Sequence, residues 1–462
     1  MNIIPQLIKI ITTGYLGVYE EALKQGQISL IVDNTMDLLN KLGKEIIEDV
    51  ISNLEDEIKV SEDRKRNWYV QRNNDDKTIS TLLGPINYKR TYYKNKNSGE
   101  YTYLLDEHLG INPHERIDDS LKAKIIEDAI GESYQSSINR QHDKGIYSRT
   151  TVMNAIRSIK DIPNDAAPVN LEKRKIKNLY VEADEDHVSL QNGNSAISKI
   201  IYVHEGKKLK SKGRYELINV RYFTDLKQNS EELWLDVANY IDEVYETEKI
   251  KRVFLSGDDA SWIKEGLNWI VNSEFVLDRF HLAKYVREAT AHQEQCFYPM
   301  WNYINRNMKK AAKDLFDLII EETKVTTKRK AVIRCKGYIL NHWEAIQLQK
   351  DENYLGCSAE GHVSHVLSDR LSSRPMGWSK YGMEQMARLR VMDFNGGKVF
   401  EHIKNLRLKD EKNKNTTKLD DRVCLNKVKN NFKSYGNIDN ITIINQGKRS
   451  GAMSLLKSVR GI

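Results

Sequence analysis

Residues 177–191 read KNLYVEADEDHVSLQ, an apolar run that passes into a cluster of carboxylates. Leu179 and Val181 alternate with other residue types, which is typical of a β-strand. Two further runs, residues 198–209 and 214–226, are rich in Ile, Tyr and Val and are bounded by turn-forming residues. We therefore expect three successive strands in this part of the chain.

Helices and strands then alternate. The pattern predicts a helix over residues 230–249, a strand over 250–259, a short helix over 260–270 and a last strand over 273–280. The predicted order is β-β-β-α-β-α-β, which is expected of a ribonuclease-H-like fold within an α+β chain. This is an analogy at the level of the fold, so the chemistry has to be argued from the site residues.

Two aspartates occupy predicted strand ends. Asp184 ends the first strand, and Asp258 directly follows the apolar run in the fourth. Each alone is better explained as a turn residue, but the pair on these strands favours a metal site, because a divalent cation relieves the repulsion between two ionised carboxylates. Oxygen ligands suit Mg²⁺ or Mn²⁺. Two ions about 4 Å apart would activate water or a 3′-hydroxyl for phosphodiester chemistry.

The sequence before these strands changes character twice. Apolar residues recur at helical spacing within residues 1–66, which indicates a helical hairpin or a dimerisation arm. Residues 68–105 alternate and contain a Gly-Pro turn, which predicts a small β-unit. Aromatic and basic residues interleave over 88–96, so this strand either lies against a phosphate backbone or is an ordinary solvated strand.

Residues 117–160 return to helical periodicity around a turn at 143–145. Two short helices about a Gly-containing turn fit a helix-turn-helix, with Ser148 or Thr150 as the cap of the second helix. Arg149, Asn154 and Arg157 would then be exposed for DNA contact. A plain helical linker subdomain explains the pattern equally well. A Pro-containing linker near 161–175 predicts a domain boundary.

Composition excludes several protein classes. The 462 residues carry a formal net charge of +7 and are 40% hydrophobic, so the chain is not wholly disordered. A charge of +7 permits nucleic-acid binding without requiring it. No apolar run reaches the roughly 18–20 residues of a membrane span. The four cysteines show no C-x-x-C spacing, which favours a reduced, cytoplasmic setting over a zinc knuckle or a disulfide framework.

Four blocks carry a family resemblance: LYVEADEDHVSLQ at 179–191, VFLSGDDASWIKEG at 253–266, FVLDRFHLAKYV at 275–286 and GCSAEGHVSHVLSDRLSSRPMGWS at 356–379. In this order and spacing they resemble the bacterial insertion-sequence transposases of the ISLre group, a DDE-type family related to the Mutator-like transposases. The segments LLGPINYKRTYY and LLDEHLGI resemble the leader region of that family.

The resemblance implies a catalytic and metal-binding set of Asp184, Asp258 and Glu360, with Mg²⁺ or Mn²⁺ and two ions. Glu384 is the competing third acid. Asp278 and His281 match a short element that follows the second acid and are accessory candidates. Asp186 shares a strand face with Asp184 and is a further accessory candidate. We expect Asp259 to point away, and His187 to be a capping or core histidine.

The resemblance also implies double-stranded DNA as the partner and a homodimer or higher assembly, for which residues 1–66 are the plausible interface. The candidate DNA-contacting residues after Glu360 are Arg370, Arg374, Trp378, Lys380, Arg388 and Arg390. Trp378 would stack on a flipped base, although packing in the interior is the commoner role of such a tryptophan. The basic segment 401–435 is either a DNA-contacting arm or a solvated surface.

We predict seven segments: a helical arm (1–66), a small β-unit (67–116), a helix-turn-helix-like region (117–165), the first part of a catalytic core (175–281), a helical insertion (282–352), the second part of the core (353–400) and a basic tail (401–462). The predicted function is DNA cleavage and strand transfer at the nucleoid in the bacterial cytoplasm. The alternatives are a nuclease without strand transfer and a DNA-binding protein with an inactive catalytic fold.

Overall fold

The computed structural model describes residues 3–160, 162–225, 229–374 and 376–411. They form two compact units. The first comprises the described parts of 1–126, 133–152 and 403–462, and the second those of 127–132 and 153–402. The prediction of an α+β multidomain protein is confirmed. None of the described helices is both long and apolar enough to cross a membrane.

The first unit opens with the helices predicted for residues 1–66: α1 (Ile4–Gln25), α2 (Ile28–Val60) and α3 (Glu62–Asn67). α1 and α2 are joined through Gly26, whose φ of 57° gives the left-handed C-cap that such a short connection needs. Gln6 Nε2 donates to Glu45, and Gly14 lies against Leu38. These two pairs show that the helices are antiparallel.

A three-stranded antiparallel sheet follows, formed by β1 (Trp68–Thr81), β2 (Gly84–Asn95) and β3 (Tyr101–Thr102). It packs on α2 and on α4 (Leu104–His108) around one core, which contains Ile51, Ile58, Ile79, Ile86, Tyr88, Tyr93, Leu104 and Leu105. Two bases of β2 have partners nearby: Arg90 pairs with Asp106, and the Nζ of Lys94 lies 5.3 Å from the ring centroid of Tyr101. Contact of this strand with a phosphate backbone stays a prediction.

Three helices come next, namely α5 (Asp119–Gly131), α6 (Tyr134–Gln141) and α7 (Arg149–Ser158). The predicted turn is present between the last two as a 3₁₀ segment followed by Gly145, which has a φ of 85°. Ser148 Oγ accepts a hydrogen bond from the Thr150 backbone N at 3.2 Å, in keeping with its predicted capping role.

The described part of the second unit contains seven strands: β4 (Asn178–Ser189), β5 (Ser195–His204), β6 (Lys207–Ser211), β7 (Arg214–Leu217), β8 (Arg221–Thr224), β9 (Arg252–Gly257) and β10 (Ser273–Leu277). Five of them form a mixed sheet in the order β10-β9-β4-β5-β8. β10, β9 and β4 are mutually parallel, whereas β5 is antiparallel to both β4 and β8. β6 and β7 form a separate hairpin.

The second and third predicted strands were therefore too long. Gly206, with a φ of 144°, separates β5 from β6, and Asn219, with a φ of 52°, separates β7 from β8. Both residues have positive φ angles that continuous strands do not adopt. Each predicted strand is thus divided between the five-stranded sheet and the hairpin.

The faces of the five-stranded sheet differ. Leu179, Val181 and Ala183 of β4 pack into a core with α8 (Ser230–Val244) and with the short helices α9 (Ser261–Lys264) and α10 (Gly266–Trp269). The alternate residues of β4 carry its carboxylates on the opposite face. The sheet thus has an apolar side that fixes the strands and an acidic side that is available for chemistry.

The remaining elements are helical. A bundle with its own core comprises α11 (Arg279–Thr290), α12 (Phe297–Asn305), α13 (Lys309–Glu322), α14 (Thr326–Asn341) and α15 (Trp343–Gln347). After it come α16 (Ala359–Val363), a π-helical turn, α17 (Asp369–Leu371), α18 (Lys380–Phe394) and α19 (Val399–Glu411). Residues 412–462 of the predicted basic tail lie outside the described residues. In the described part of this tail, Arg407 pairs with Glu115 and Asp119.

Candidate active site

The carboxyl ends of β9 and β10 bring Asp258 and Asp278 beside Asp184 of β4. The prediction that Asp184 ends its strand is wrong, because β4 continues to Ser189 in its pairing with β5. The last paired residues of β4 and β9 are Glu182 and Ser256, and Asp184 and Asp258 each follow two residues later. β10 pairs with β9 up to the residues directly before Asp278 and Asp258. The register therefore places all three aspartates at neighbouring positions.

Asp258 is held by a tight turn after β9. Its Oδ1 accepts a hydrogen bond from the Ala260 backbone N at 2.9 Å. Gly257, directly before it, lies so close to β4 that a Cβ there would be 2.8 Å from the carbonyl oxygen of Ala183. Only glycine allows the two strands to approach in this way, so the glycine helps to bring Asp258 beside Asp184.

Asp184 is 8% exposed, and its Oδ1 accepts a hydrogen bond from the Glu185 backbone N at 2.8 Å. Burial raises the pKa of Asp184, and the charges of Asp258 and Glu360 raise it further, to about 7, although the Glu185 hydrogen bond and His281 act in the opposite direction. Asp258 and Glu360, both remote from Asp184 along the chain, thus raise its pKa through their negative charges. The excess negative charge is of the kind that a bound cation neutralises.

Glu360 reaches this edge from α16, which packs against β4. It is exposed in the first turn of that helix. Glu384, the competing third acid, lies on α18 and acts on a different aspartate, Asp225, which directly follows β8. Burial raises the pKa of Asp225, and the charge of Glu384 raises it to a smaller extent. The electrostatic neighbours of Asp184 therefore favour Glu360 as the third acid.

Glu182 is a functional candidate that the sequence reasoning missed. It is 1% exposed and lies two residues before Asp184 on the same strand face. Its carboxylate accepts hydrogen bonds from His204 Nε2 at 3.0 Å, from Ser358 Oγ at 3.1 Å, and from Tyr202 and the Ser358 backbone N. Glu182 thus ties β4 to the residues that directly precede Glu360.

This network keeps Glu182 ionised. Burial alone would raise the pKa of Glu182, but the hydrogen bond and charge of His204, together with Tyr202 and Ser358, outweigh burial and lower the pKa to about 2. The signal in the sequence was the alternation of Glu182, Asp184 and Asp186, which places three acids on one face of a strand.

Asp278 and His281 form a pair at the start of α11. His281 Nδ1 lies 3.1 Å from Asp278 Oδ2. This hydrogen bond raises the pKa of His281 against the effect of burial, and the charges of Asp258 and Asp184 raise it further. His281 is therefore favoured as a cation beside the aspartates.

The other acids of these blocks have separate contacts. Asp186 is buried, with Oδ1 accepting a hydrogen bond from Ser372 Oγ at 2.8 Å, whereas Oδ2 accepts none from the described residues. Asp259 forms ion pairs with Lys264 and His342. His187 is exposed, so a core position is wrong for it.

Within the described chain, no three His, Cys, Asp or Glu side chains are gathered tightly enough to hold a metal ion by themselves. Mg²⁺ is commonly bound through one or two carboxylates, with waters and substrate phosphates completing its shell. The donors here are hard oxygens in a site with excess negative charge. They fit a divalent ion whose remaining ligands come from solvent and substrate.

The structure corrects several expected DNA contacts. Arg370 and Trp378 are buried, with Arg370 Nε donating to the Ala129 carbonyl at 2.9 Å and Trp378 Nε1 to that of Leu371 at 3.0 Å. Arg388 and Arg390 are also buried, and Arg390 Nε donates to the Val366 carbonyl at 2.7 Å. These four side chains lie in the interior and are not exposed for contact with DNA.

The remaining candidates for DNA contact are at the surface. Arg374 and Lys380 are exposed in the segment between α17 and α18 and at the start of α18. Arg149, Asn154 and Arg157 are exposed along α7, whose opposite face carries the buried Val152 and Ile156. Their contact with DNA stays a prediction.

Comparison with known proteins places these features in a family. The profile of the uncharacterised protein family UPF0236 matches residues 24–405. A UPF0236 protein of Caldanaerobacter subterraneus subsp. tengcongensis, whose name joins eleven locus names, is 42% identical over 455 residues, covering 97% of this chain and 95% of its own length. A second from that organism, UPF0236 protein TTE2489, is 41% identical with coverages of 97% and 96%.

A more distant relative comes from Streptococcus gallolyticus. This UPF0236 protein in the vanSb 3′ region is 25% identical over 415 residues, which cover 86% of this chain and 87% of the relative.

Proposed function

The chain belongs to the UPF0236 family, and from this premise we propose that it is a DNA transposase, which cleaves insertion-sequence ends and joins them to target DNA. The observation that carries the proposal is the electrostatic coupling of Asp184 to Asp258 and Glu360 at one edge of a mixed sheet. Neighbouring acids of this kind are the ligands required for metal-dependent phosphodiester chemistry.

The strand order supports a ribonuclease-H-like core for this activity. β4, β5 and β8 form an antiparallel meander, and β9 and β10 add in parallel on the other side of β4. The acids then lie on the central strand, on its parallel neighbour and on a helix packed against the central strand. This is the arrangement that the sequence resemblance implies.

Bound Mg²⁺ or Mn²⁺, with two ions proposed, would activate the attacking oxygen and stabilise the leaving oxygen. Asp184, Asp258 and Glu360 would orient the ions, and Asp184 would release its proton as they bind because its pKa is close to neutrality. His281, favoured as a cation by Asp278, would balance charge on the scissile phosphate. Glu182 would hold the segment that carries Glu360.

The names of the relatives also agree with a mobile element. One name joins eleven locus names of a single organism, and another joins four. A gene product shared by so many loci is what repeated copying of a transposable element would leave behind. We accordingly propose that this chain acts on double-stranded DNA at the nucleoid of a bacterial cell.

The test is an assay of the purified chain with Mg²⁺ on duplexes taken from the non-coding DNA on each side of its gene. We expect end cleavage and joined products from the wild type. Asp184→Asn, Asp258→Asn and Glu360→Gln should each lower cleavage at least ~100-fold, because each removes a carboxylate that would hold the metal ions needed to stabilise the transition state. DNA affinity, measured separately by fluorescence anisotropy, should change little.

Asp259→Asn and Glu384→Gln are matched controls, since each neutralises an acid outside the coupled set, and both should cleave at nearly the wild-type rate. If Glu384→Gln lost cleavage as strongly as Asp184→Asn while Glu360→Gln cleaved at the wild-type rate, the third acid would be Glu384. Hydrolysed ends without joined products would contradict the transposase and favour a nuclease. Binding without any cleavage would favour a DNA-binding protein with an inactive fold.

A further inference from the structure

The hairpin of α1 and α2 exposes a long apolar surface, which we call the hairpin face. Its side chains are 42–74% exposed and recur at helical spacing in both helices. They are Ile11, Tyr15, Tyr19 and Leu23 in α1, and Ile28, Val32, Met36, Leu39, Ile46 and Val50 in α2. Tyr15 and Tyr19 also stack on each other, with ring centroids 6.2 Å apart.

Both stripes lie on the same side of the hairpin. Gly14 and Leu38 mark the line where the two helices touch. Successive residues of a helix are rotated by about 100° about its axis. The exposed apolar residues of each helix form a stripe. Measured about the helix axis from the line of contact, in the direction in which the helix winds from its N-terminus, the stripe is centred at roughly 110° in both helices. Because the helices are antiparallel, equal offsets place both stripes on one side and form a continuous face.

The hairpin face contains no charge. Residues 4–60 include ten Asp/Glu and five Lys, so the segment is acidic overall. By the same helical geometry, every charged residue from 8 to 50 lies outside the arc of the two stripes. An uncharged face with an acidic surround does not suit DNA or an anionic membrane, since both would be repelled.

We propose that the hairpin face binds a second copy of this chain, so that two hairpins pack as a four-helix bundle. Ten half-exposed side chains present on the order of 1,000 Å² of surface, given that large side chains bury ~150–250 Å² when fully covered. A stable interface needs about 800 Å² from each partner. A two-fold axis would lay the same apolar stripes against each other.

This inference is independent of the proposed catalysis, so it is tested without DNA or metal. Sedimentation equilibrium of the full chain in EDTA at micromolar concentrations should give twice the chain mass of 53.6 kDa. Tyr19→Glu and Leu39→Glu should each weaken the dimer ~100-fold or more, because central apolar contacts dominate interface energies.

Ser52→Glu is the matched control. It adds the same charge to α2 at an exposed position outside the hairpin face, and it should remain dimeric. Circular dichroism establishes that each variant retains its helices. Loss of the dimer in both face variants, with retention in Ser52→Glu, supports the proposal.

Other results would overturn it. These are a monomeric wild type, a dimer that both face variants leave intact, and a wild type that sediments with vesicles of anionic lipid.

Discussion

At the scale of single residues, Asp184 determines the electrostatics of the site. It is buried beside two other acids, so its ionisation in the folded chain is unfavourable without a counterion. Its pKa is about 7 in the folded chain, compared with an ordinary value of 3.8. Between these values the unfolded carboxyl is ionised and the folded one is protonated, so the free energy of unfolding falls as pH rises from about 4 to about 7.

We therefore predict that Asp184→Asn stabilises the metal-free protein. The gain should be small near pH 4, grow towards pH 7 and stay constant above it, reaching at most on the order of 4 kcal/mol, because the pKa of Asp184 rises from 3.8 to about 7 and each pKa unit corresponds to about 1.4 kcal/mol. Thermal unfolding in EDTA from pH 4 to 8 measures this difference. A gain that does not depend on pH would mean that Asp184 has no raised pKa.

Some predictions for single residues were wrong. Arg370 and Arg390 have the chemistry of DNA contacts, yet both are buried and donate hydrogen bonds to backbone carbonyls. For Trp378, the alternative of interior packing is confirmed. Residue type alone does not reveal which way a helical side chain points when both faces of the helix are covered. In α18 every side chain from Gln385 to Met392 is buried, so no polar stripe marked an exposed face.

At the scale of elements, the position of Glu360 depends on how the segment before α16 is held. Glu182 binds both the backbone N and the hydroxyl of Ser358. It is itself fixed by His204 and Tyr202 on the neighbouring strand. We therefore propose that Glu182 is a positioning residue, which would act through Glu360.

We predict that Glu182→Gln lowers kcat for DNA cleavage by about 10- to 100-fold and leaves KM nearly unchanged, as expected for a residue that orients a ligand. Glu205→Gln is the control, because Glu205 also lies in an ion pair on this sheet but pairs with Arg174. Steady-state kinetics well below the melting temperature of each variant provides the comparison. If both variants lose the same activity, the effect is general destabilisation.

The sequence predicted elements better than their connections. Alternation and apolar runs located the strands that became β4, β9 and β10, because these are buried on regular faces. The β6–β7 hairpin was missed because a single residue with positive φ, Gly206 or Asn219, ended each strand inside a run of strand-forming residues. Backbone angles of this kind leave little trace in hydrophobic periodicity.

At the scale of the whole molecule, the order of elements around β4 was predictable, since short connections leave few topologies open. The convergence of Asp184 with Asp258 could also be expected from parallel strand ends. The position of Glu360 beside these aspartates could not be expected from the strand order, because a helical bundle with its own core separates Glu360 from β10 along the chain. Only the family resemblance predicted Glu360 as the third acid.

The proposed metal site is tested by the structure of the chain crystallised with a gene-flanking duplex and Mn²⁺, with the ions located by anomalous scattering. We expect manganese within ligand distance of Asp184, Asp258 and Glu360, near the carboxyl end of β9 and against a DNA phosphate. Manganese bound elsewhere, or near β9 without Glu360 as a ligand, would contradict the proposed catalytic site.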